Sequence, residues 1–425
     1  MLGVMGASYY YKTNYNKDSD KIIKIAENCG LYKKEEKIRL YRRNHNKKSN
    51  FTEYVFKIPL GLELEDFQSK HGKFKDGLNN RSTRRIDLKA LKELKLDRTL
   101  PKQLEKIIHN RVRLRKEIEM EYDGMLIMRV YEQGLKERYD LTEEVLKRKA
   151  WHVPLGMTLS KEMVHNFEKG PHILIGGATD MGKSNILNVI ITSLLYNHPE
   201  EVEFTLIDLK GGLEFGVYEH LKQVKNFAAD PQEAKDALEK VQSEMNKTFE
   251  MLRRTGKKNV KHAGIKKRHF VIIDESAELA SAGEQDPEIK KLKIECENLI
   301  KDIARRGRAS GIRLLYCTQY PTTETVSSQV KRNLMVRICF PVDTSTASGV
   351  VLDEGGAEKL PLIQGRAIYK RNRKTEMQAY LVEDDLINKV ITPHINFRAR
   401  SEKCASCRDE KKETRGSYTT VIEKA

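Results

Sequence analysis

The chain has 425 residues, 39% of them hydrophobic, and 78 Lys and Arg stand against 61 Asp and Glu, a formal net charge of +17. That length admits roughly two to four domains, and the basic excess fits either a polyanionic partner or a solvated surface. No stretch approaches the ~18 consecutive apolar residues of a membrane span, the start MLGVMGASYYYKTNY lacks the basic region of a secretory signal, and six scattered cysteines suit a reducing, cytoplasmic compartment rather than a disulfide scaffold.

Residues 1–30 carry no clear period and read as an N-terminal tail. LYKKEEKIRLYRRNHNKK at 31–48 holds eight Lys and Arg against two Glu, with Tyr32 and Tyr41 interleaved; it is a nucleic-acid contact or a solvated strand pair. TEYVFKIPLG then alternates Tyr54, Phe56 and Ile58 as a strand does. Leu64, Phe67, His71, Phe74 and Leu78 recur at helical spacing, with His71 packed rather than ligating. Residues 85–122 are charge-rich with a helical period, and MLIMRVY at 125–131 is a further strand. These elements predict a small α/β domain over 31–150. WHVPLGMTLSKE at 151–162 reads as a linker leading into a strand, marked by Pro154 and Gly156, with Trp151 packed at the domain joint.

From 171 the pattern becomes buried strands alternating with helices: HILIG, a helix over 183–196, EFTLID at 203–208, a helix over 231–252 opened by Pro231. HFVIID at 269–274, a helix over 287–307, RLLYCTQ at 313–319, VRICF at 336–340 and two short strands near 367–382 follow. Such alternation predicts an α/β fold with a mainly parallel sheet covered on both faces. The domain is expected to occupy 151–385, and the polar stretch 386–425 to be a charged, loosely ordered tail.

Gly177, Ala178, Thr179, Asp180, Met181, Gly182, Lys183 and Ser184 fit G-x-x-x-x-G-K-[ST] between an apolar strand and a helix. Glycines let backbone N–H groups turn inward around phosphates, and the helix N-terminus adds a positive dipole end. Lys183 is expected on the β- and γ-phosphates of ATP, and the Ser184 hydroxyl on Mg²⁺. About ninety residues on, FVIIDE brings Asp274 and Glu275 to a strand's C-terminal edge. Asp274 is expected to hold Mg²⁺ through water and Glu275 to polarise the attacking water. Cys404 and Cys407 form a lone C-x-x-C with no second pair nearby; a zinc site needs four ligands.

Over roughly 150–385 the chain resembles the motor of the FtsK/SpoIIIE family. The resemblance rests on GGATDMGKSN at the phosphate loop, IDLKGGLEFGVYEHL at 207–221, ARRGRASGIRLLYCTQYP at 304–321 and LDEGGAEKLP at 352–361. Asp180-Met181 replaces a smaller pair, Leu209 stands where proline is usual, and Tyr320 where arginine is. The resemblance implies a RecA-like P-loop ATPase working as a homohexameric ring around double-stranded DNA, each nucleotide at a subunit boundary. It implies an arginine acting on the neighbouring subunit's γ-phosphate, here Arg308, with Arg305 and Arg306 as near rivals. Gln319 falls where related motors carry a polar γ-phosphate sensor. Lys210 and Glu214 take a subunit-contact or pore-side role or form a surface turn, and Arg337 reaches the nucleotide or pairs a carboxylate. The stretch before 150 is similar to the domain preceding the motor in related proteins of mobile elements, where it would form a second tier on the ring.

The function expected from these features is ATP-dependent translocation of duplex DNA. A conjugation-type coupling ATPase with a membrane or mobile-element partner is the alternative within the class. A non-hydrolysing, nucleotide-dependent DNA-binding regulator is the alternative outside it.

Overall fold

The computed structural model describes residues 18–46, 50–80 and 115–395. The chain divides into two compact units, with the boundary between Leu135 and Lys136.

In the first unit, residues 18–28 are helical and bury Ile22 and Ala26, one turn apart on one face. The stretch read as a periodless tail thus contributes to a core. Strands β1 (Arg39–Asn46), β2 (Phe51–Lys57), β3 (Glu117–Tyr122) and β4 (Leu126–Tyr131) form an antiparallel sheet in the order β1-β2-β4-β3. Tyr54, Phe56, Ile118, Met128 and Val130 face the helices, where Phe67, Phe74 and Leu78 complete the core. The single helix expected over 64–78 is two, Leu64–Gln68 and His71–Asn79. The first is held by a reciprocal cap between Glu63 and Asp66 and stops at Ser69. His71 does pack, its Nε2 donating to the carbonyl of Ile118 at 2.9 Å. Of the stretch 85–122, residues 117–122 are strand rather than helix; 85–114 lie outside the described residues.

The second unit is built on a ten-stranded sheet. Its strands are β5 (His152–Met157), β6 (Glu162–Asn166), β7 (Ile173–Gly176), β8 (Val202–Ile207), β9 (Val224–Ala228), β10 (Arg268–Ile273), β11 (Ile312–Thr318), β12 (Val336–Cys339), β13 (Arg366–Lys370) and β14 (Lys374–Ala379), ordered β6-β5-β14-β13-β12-β7-β11-β10-β8-β9. From β12 to β9 every pairing is parallel; the other side is an antiparallel flank. The central strands are apolar throughout because both faces are covered. Ile173, Ile175, Phe270, Ile272, Leu315 and Cys317 pack on the side of the helix Lys183–Asn197. Leu174, Val271, Ile273, Leu314 and Tyr316 pack on the side of the helices Pro231–Arg254 and Pro287–Ser310.

Residues 151–162 prove to belong to the sheet's outer hairpin, β5–β6, rather than to a linker. Trp151 stacks on the His198 ring, centroids 4.1 Å apart, and contributes to the core of the second unit. Leu141 and Leu146 join the same core. Nor does ordered packing stop at 385: the helix Asp384–Ile391 buries Ile387, Val390 and Ile391, and Ile395 bridges to Leu221. Residues 396–425, with Cys404 and Cys407, lie outside the described residues.

Candidate nucleotide site

β7 runs into the loop 177–182, and the helix Lys183–Asn197 starts at once. Parallel strands deliver their C-terminal ends to one edge, so this loop meets the ends of β11, β10 and β8 there. Two glycines in the loop are sterically required. Gly177 has φ +153° and its missing Cβ would lie 2.5 Å from that of Phe340; Gly182 has φ +111° and faces the Gly365 backbone at 3.2 Å. Asp180 adopts φ +61°, a left-handed conformation that aspartate tolerates better than most residues. Gly365 N–H donates to the Met181 carbonyl at 3.0 Å and anchors the loop to the start of β13.

Lys183 is buried, and its Nζ donates to the carbonyls of Gly177 and Ala178, both at 2.7 Å. The ammonium therefore sits at the centre of the loop, where a phosphate would be cradled. Burial lowers its pKa, while Glu275 and Asp274 act in the opposite sense. Ser184, next along the helix, is half-buried. The Thr179 hydroxyl donates to Gln319 Oε1 at 3.0 Å, tying the loop to the end of β11.

The carboxylates Asp274 and Glu275 follow β10. Glu275 is nearly buried; it accepts from the backbone N–H of Gln319 at 3.0 Å and caps its own turn by accepting from Ala277 N–H at 3.2 Å. Asp274 is 1% exposed, and its Oδ2 has no hydrogen-bond partner among the described residues. Lys210 Nζ approaches that oxygen at 3.6 Å. Burial pushes the Asp274 carboxyl up to about 6; Lys210 opposes this and Glu214, Asp208 and Glu275 add to it. A buried hard oxygen without a hydrogen-bond partner, at the sheet edge that carries the phosphate loop, suits Mg²⁺, which takes oxygen ligands and keeps several waters. Ser184 and Asp274 would hold it.

A buried carboxylate with an oxygen that accepts no hydrogen bond, and with only one cation at 3.6 Å, costs stability. Because its folded pKa exceeds the ordinary value, stability is favoured below that value and is lost as pH rises through about 6. Asp274→Asn is therefore expected to stabilise the nucleotide-free chain at pH 8, by up to about 3 kcal/mol, and so to raise its melting temperature. The gain should shrink toward pH 4, and the variant should lose the extra stabilisation that Mg²⁺ gives with ATP. Thermal scans at both pH values check this; an Asn variant less stable than wild type at pH 8 refutes it.

One site residue escaped the sequence reading. Asp208 ends β8 buried and accepts from the backbone N–H groups of Lys210, Glu214 and Phe215 at 3.2, 2.7 and 3.0 Å. That turn aims Lys210 at Asp274. The signal was present, an acid at a strand end with lysine two residues on, but only the sheet order shows that β8 adjoins β10. Glu214 is half-buried on the same turn. Arg337 pairs with Asp353, which Lys331 also meets at 2.7 Å. Arg305 and Arg306 are both paired with Asp302. Arg308 is exposed, with no ion pair among the described residues. It lies in the last turn of the helix Pro287–Ser310, four residues before β11, and β11 then runs for seven residues, about 23 Å, toward the sheet edge that carries its own chain's phosphate loop.

Comparison with known proteins gives a consistent picture. Residues 135–269 match the FtsK/SpoIIIE family model. DNA translocase SpoIIIE of Bacillus subtilis (strain 168) is 32% identical over 291 residues, covering 64% of this chain and 36% of that protein. DNA translocase FtsK of Listeria monocytogenes is 33% identical over 265 residues, covering 56% of this chain and 34% of its own length. The chain thus spans about a third of the length of these curated relatives. Among solved structures, the pCW3 conjugation coupling protein TcpA, in a monomer form with ATPgS, superposes with a TM-score of 0.59 at 25% identity, covering 88% of this chain and 99% of that one. The cytoplasmic domain of the Thermomonospora curvata type VII secretion ATPase EccC shares the fold, with a TM-score of 0.50 at 24% identity over 61% of this chain and 33% of its own. A P-loop, a buried acidic pair and a mostly parallel sheet accompany the family match, which marks residues 135–269, across the phosphate loop, as similar to the FtsK/SpoIIIE family domain.

Proposed function

We propose that the chain is an ATPase that moves double-stranded DNA, acting as a ring of identical subunits. The observation that carries the reading is the convergence of Lys183, Asp274 and Glu275 on one sheet edge, with Glu275 held by the backbone of Gln319 and Gln319 held by Thr179 of the phosphate loop. Lys183 and the loop N–H groups would bind the phosphates of ATP. Mg²⁺, held by Ser184 and Asp274, would neutralise the charge on their oxygens. Glu275 would take the proton of an attacking water, and Gln319 would register whether the γ-phosphate is present through its bond to Thr179. A ring would bring Arg308 of one subunit to the γ-phosphate bound by its neighbour.

ATP turnover measured without DNA, with single strands and with linear duplex tests the reading. Duplex is expected to stimulate turnover severalfold over the other two conditions. Equal rates in all three would remove the coupling to DNA and favour a nucleotide-dependent regulator.

A second reading, an ATPase that delivers DNA to a membrane partner, is favoured by the likeness to a conjugation coupling protein across 88% of this chain. Among the described residues no helix is long and apolar enough to cross a membrane. Displacement of a triplex strand from linear duplex by the chain alone supports the free motor. Duplex-stimulated turnover without displacement supports the coupling reading.

A further inference from the structure

The basic run at 31–48 is not absorbed by the nucleotide site. It contains β1, an edge strand with sequence RLYRRNHN. Seven of the eight residues are exposed and none is acidic. Edge strands commonly carry charge simply to prevent pairing with other chains, so exposure and charge alone decide nothing.

The register does more. Arg39 lies directly opposite Lys57 of β2, and Arg42 follows on the same face opposite Val55. Like charges directly opposite on a sheet repel. Neither Arg39 nor Lys57 has a carboxylate partner among the described residues; Lys57 Nζ instead lies 5.7 Å from the centre of the exposed Tyr41 ring. Arg42 reaches only Glu53, at 3.8 Å, and that carboxylate is shared with Arg129 at 3.2 Å. Lys33 and Lys34, on the turn before the strand, are also exposed. The opposite edge of the sheet is different. On β3, Glu117 meets Lys75 at 2.6 Å, Glu119 accepts from the Tyr131 hydroxyl at 2.6 Å and Glu121 meets Arg129 at 2.9 Å. The acidic edge is satisfied within the unit, whereas Arg39 and Lys57 face each other on the basic edge with no carboxylate partner among the described residues.

We propose that β1 and the turn before it form a duplex-DNA contact on the first unit, with Arg39, Arg42 and Lys57 on phosphates. Eight extended residues reach about 26 Å, enough to follow several phosphates at 3.4 Å of rise per nucleotide along one strand. Phosphate contacts of this kind position the DNA without reading sequence. The choice of duplex over other polyanions rests on the functional reading above.

The test uses the full chain without nucleotide and a labelled duplex, titrated over a series of KCl concentrations. Arg39→Gln/Arg42→Gln/Lys57→Gln is expected to weaken binding about tenfold or more at 0.1 M salt and to reduce the slope of log K against log salt by about 0.9 per lost phosphate contact. ATP binding and DNA-free turnover should be unchanged. Lys257→Gln/Lys258→Gln/Lys261→Gln removes the same charge from exposed positions on the other unit and should leave the slope as it was. If the strand variant loses its cooperative melting, Lys33→Gln/Lys34→Gln tests the same patch from the turn. An unchanged slope, or an equal loss in the control, overturns the proposal. So does intact duplex binding accompanied by lost self-association in sedimentation, which assigns β1 to a second copy of the chain, or by lost binding to anionic vesicles, which assigns it to a membrane. If wild type binds no duplex, the functional reading fails as well; if wild type binds and the variants match it, only this proposal fails.

Discussion

Glu275→Gln is expected to bind ATP with near-normal affinity and to lose turnover by about two to four orders of magnitude, the usual worth of a positioned general base. The reason is visible in its bonds. Glu275 accepts the Ala277 N–H through Oε1 at 3.2 Å and the Gln319 N–H through Oε2 at 3.0 Å and Oε1 at 3.3 Å, so a glutamine oxygen in the Oε1 position keeps Ala277 and the longer Gln319 contact, while its NH₂ group, unlike a carboxylate, takes no proton from water. The fold should hardly change. Glu275→Ala loses the turn cap as well, at a cost of about 1 kcal/mol, and should melt lower than Glu275→Gln. Equilibrium binding of a labelled ATP analogue, turnover and melting temperature measured on both variants separate the two roles. A Gln variant that binds no nucleotide, or turns over normally, removes Glu275 from the chemistry.

Arg308→Ala is expected to keep ATP affinity and lose turnover about 10³-fold or more, the scale of arginine fingers in other NTPases. Arg305 and Arg306 are occupied by Asp302, whereas Arg308 is exposed and unpaired among the described residues. It sits in the last turn of the helix Pro287–Ser310, away from its own phosphate loop, which suits the proposed action on a neighbour's nucleotide. Lysine should not restore the rate, because the planar fork is lost. Lys183→Ala, which removes the ammonium at the centre of the loop, should be inactive alone. Mixing the two inactive variants is the decisive measurement: a boundary pairing an intact Lys183 with an intact Arg308 should regain turnover. No recovery in mixtures shown to co-assemble would exclude Arg308 from that role. Recovery with Arg305→Ala or Arg306→Ala, themselves inactive, would transfer the role to that neighbour.

The central sheet was legible in the sequence because its strands are buried on both faces and read as unbroken apolar runs. The phosphate loop was legible because close approach to Phe340 and Gly365 leaves only glycine at 177 and 182. What escaped lies at the margins. β9, VKNFA, is a half-buried edge strand with no apolar run to announce it. β5 contains Pro154 and Gly156, which resemble turn punctuation; they flank a register shift, and a Cβ at Gly156 would lie 2.1 Å from the Gln378 carbonyl. EIEMEY hides its strand period under three glutamates, with only Ile118 and Met120 turned to the core. Contacts between elements distant in sequence, such as Lys210 with Asp274, needed the strand order before they could be seen.

That strand order also governs how the chain acquires its shape during synthesis. β7, which carries the phosphate loop, has two sheet neighbours, β11 and β12, and pairs Ile173 with Leu315 and Val336. Neither partner exists until some 140 to 160 further residues have been made, on the order of ten seconds of translation at about 5–20 residues per second. β8 and β9 can pair long before that, while β7 waits with its apolar faces uncovered. Such long-range closure slows folding and leaves a nascent chain exposed to aggregation. The strand that carries the phosphate loop thus leaves the ribosome well before both of its sheet neighbours, and it cannot be locked into the sheet until β11 and β12 have emerged.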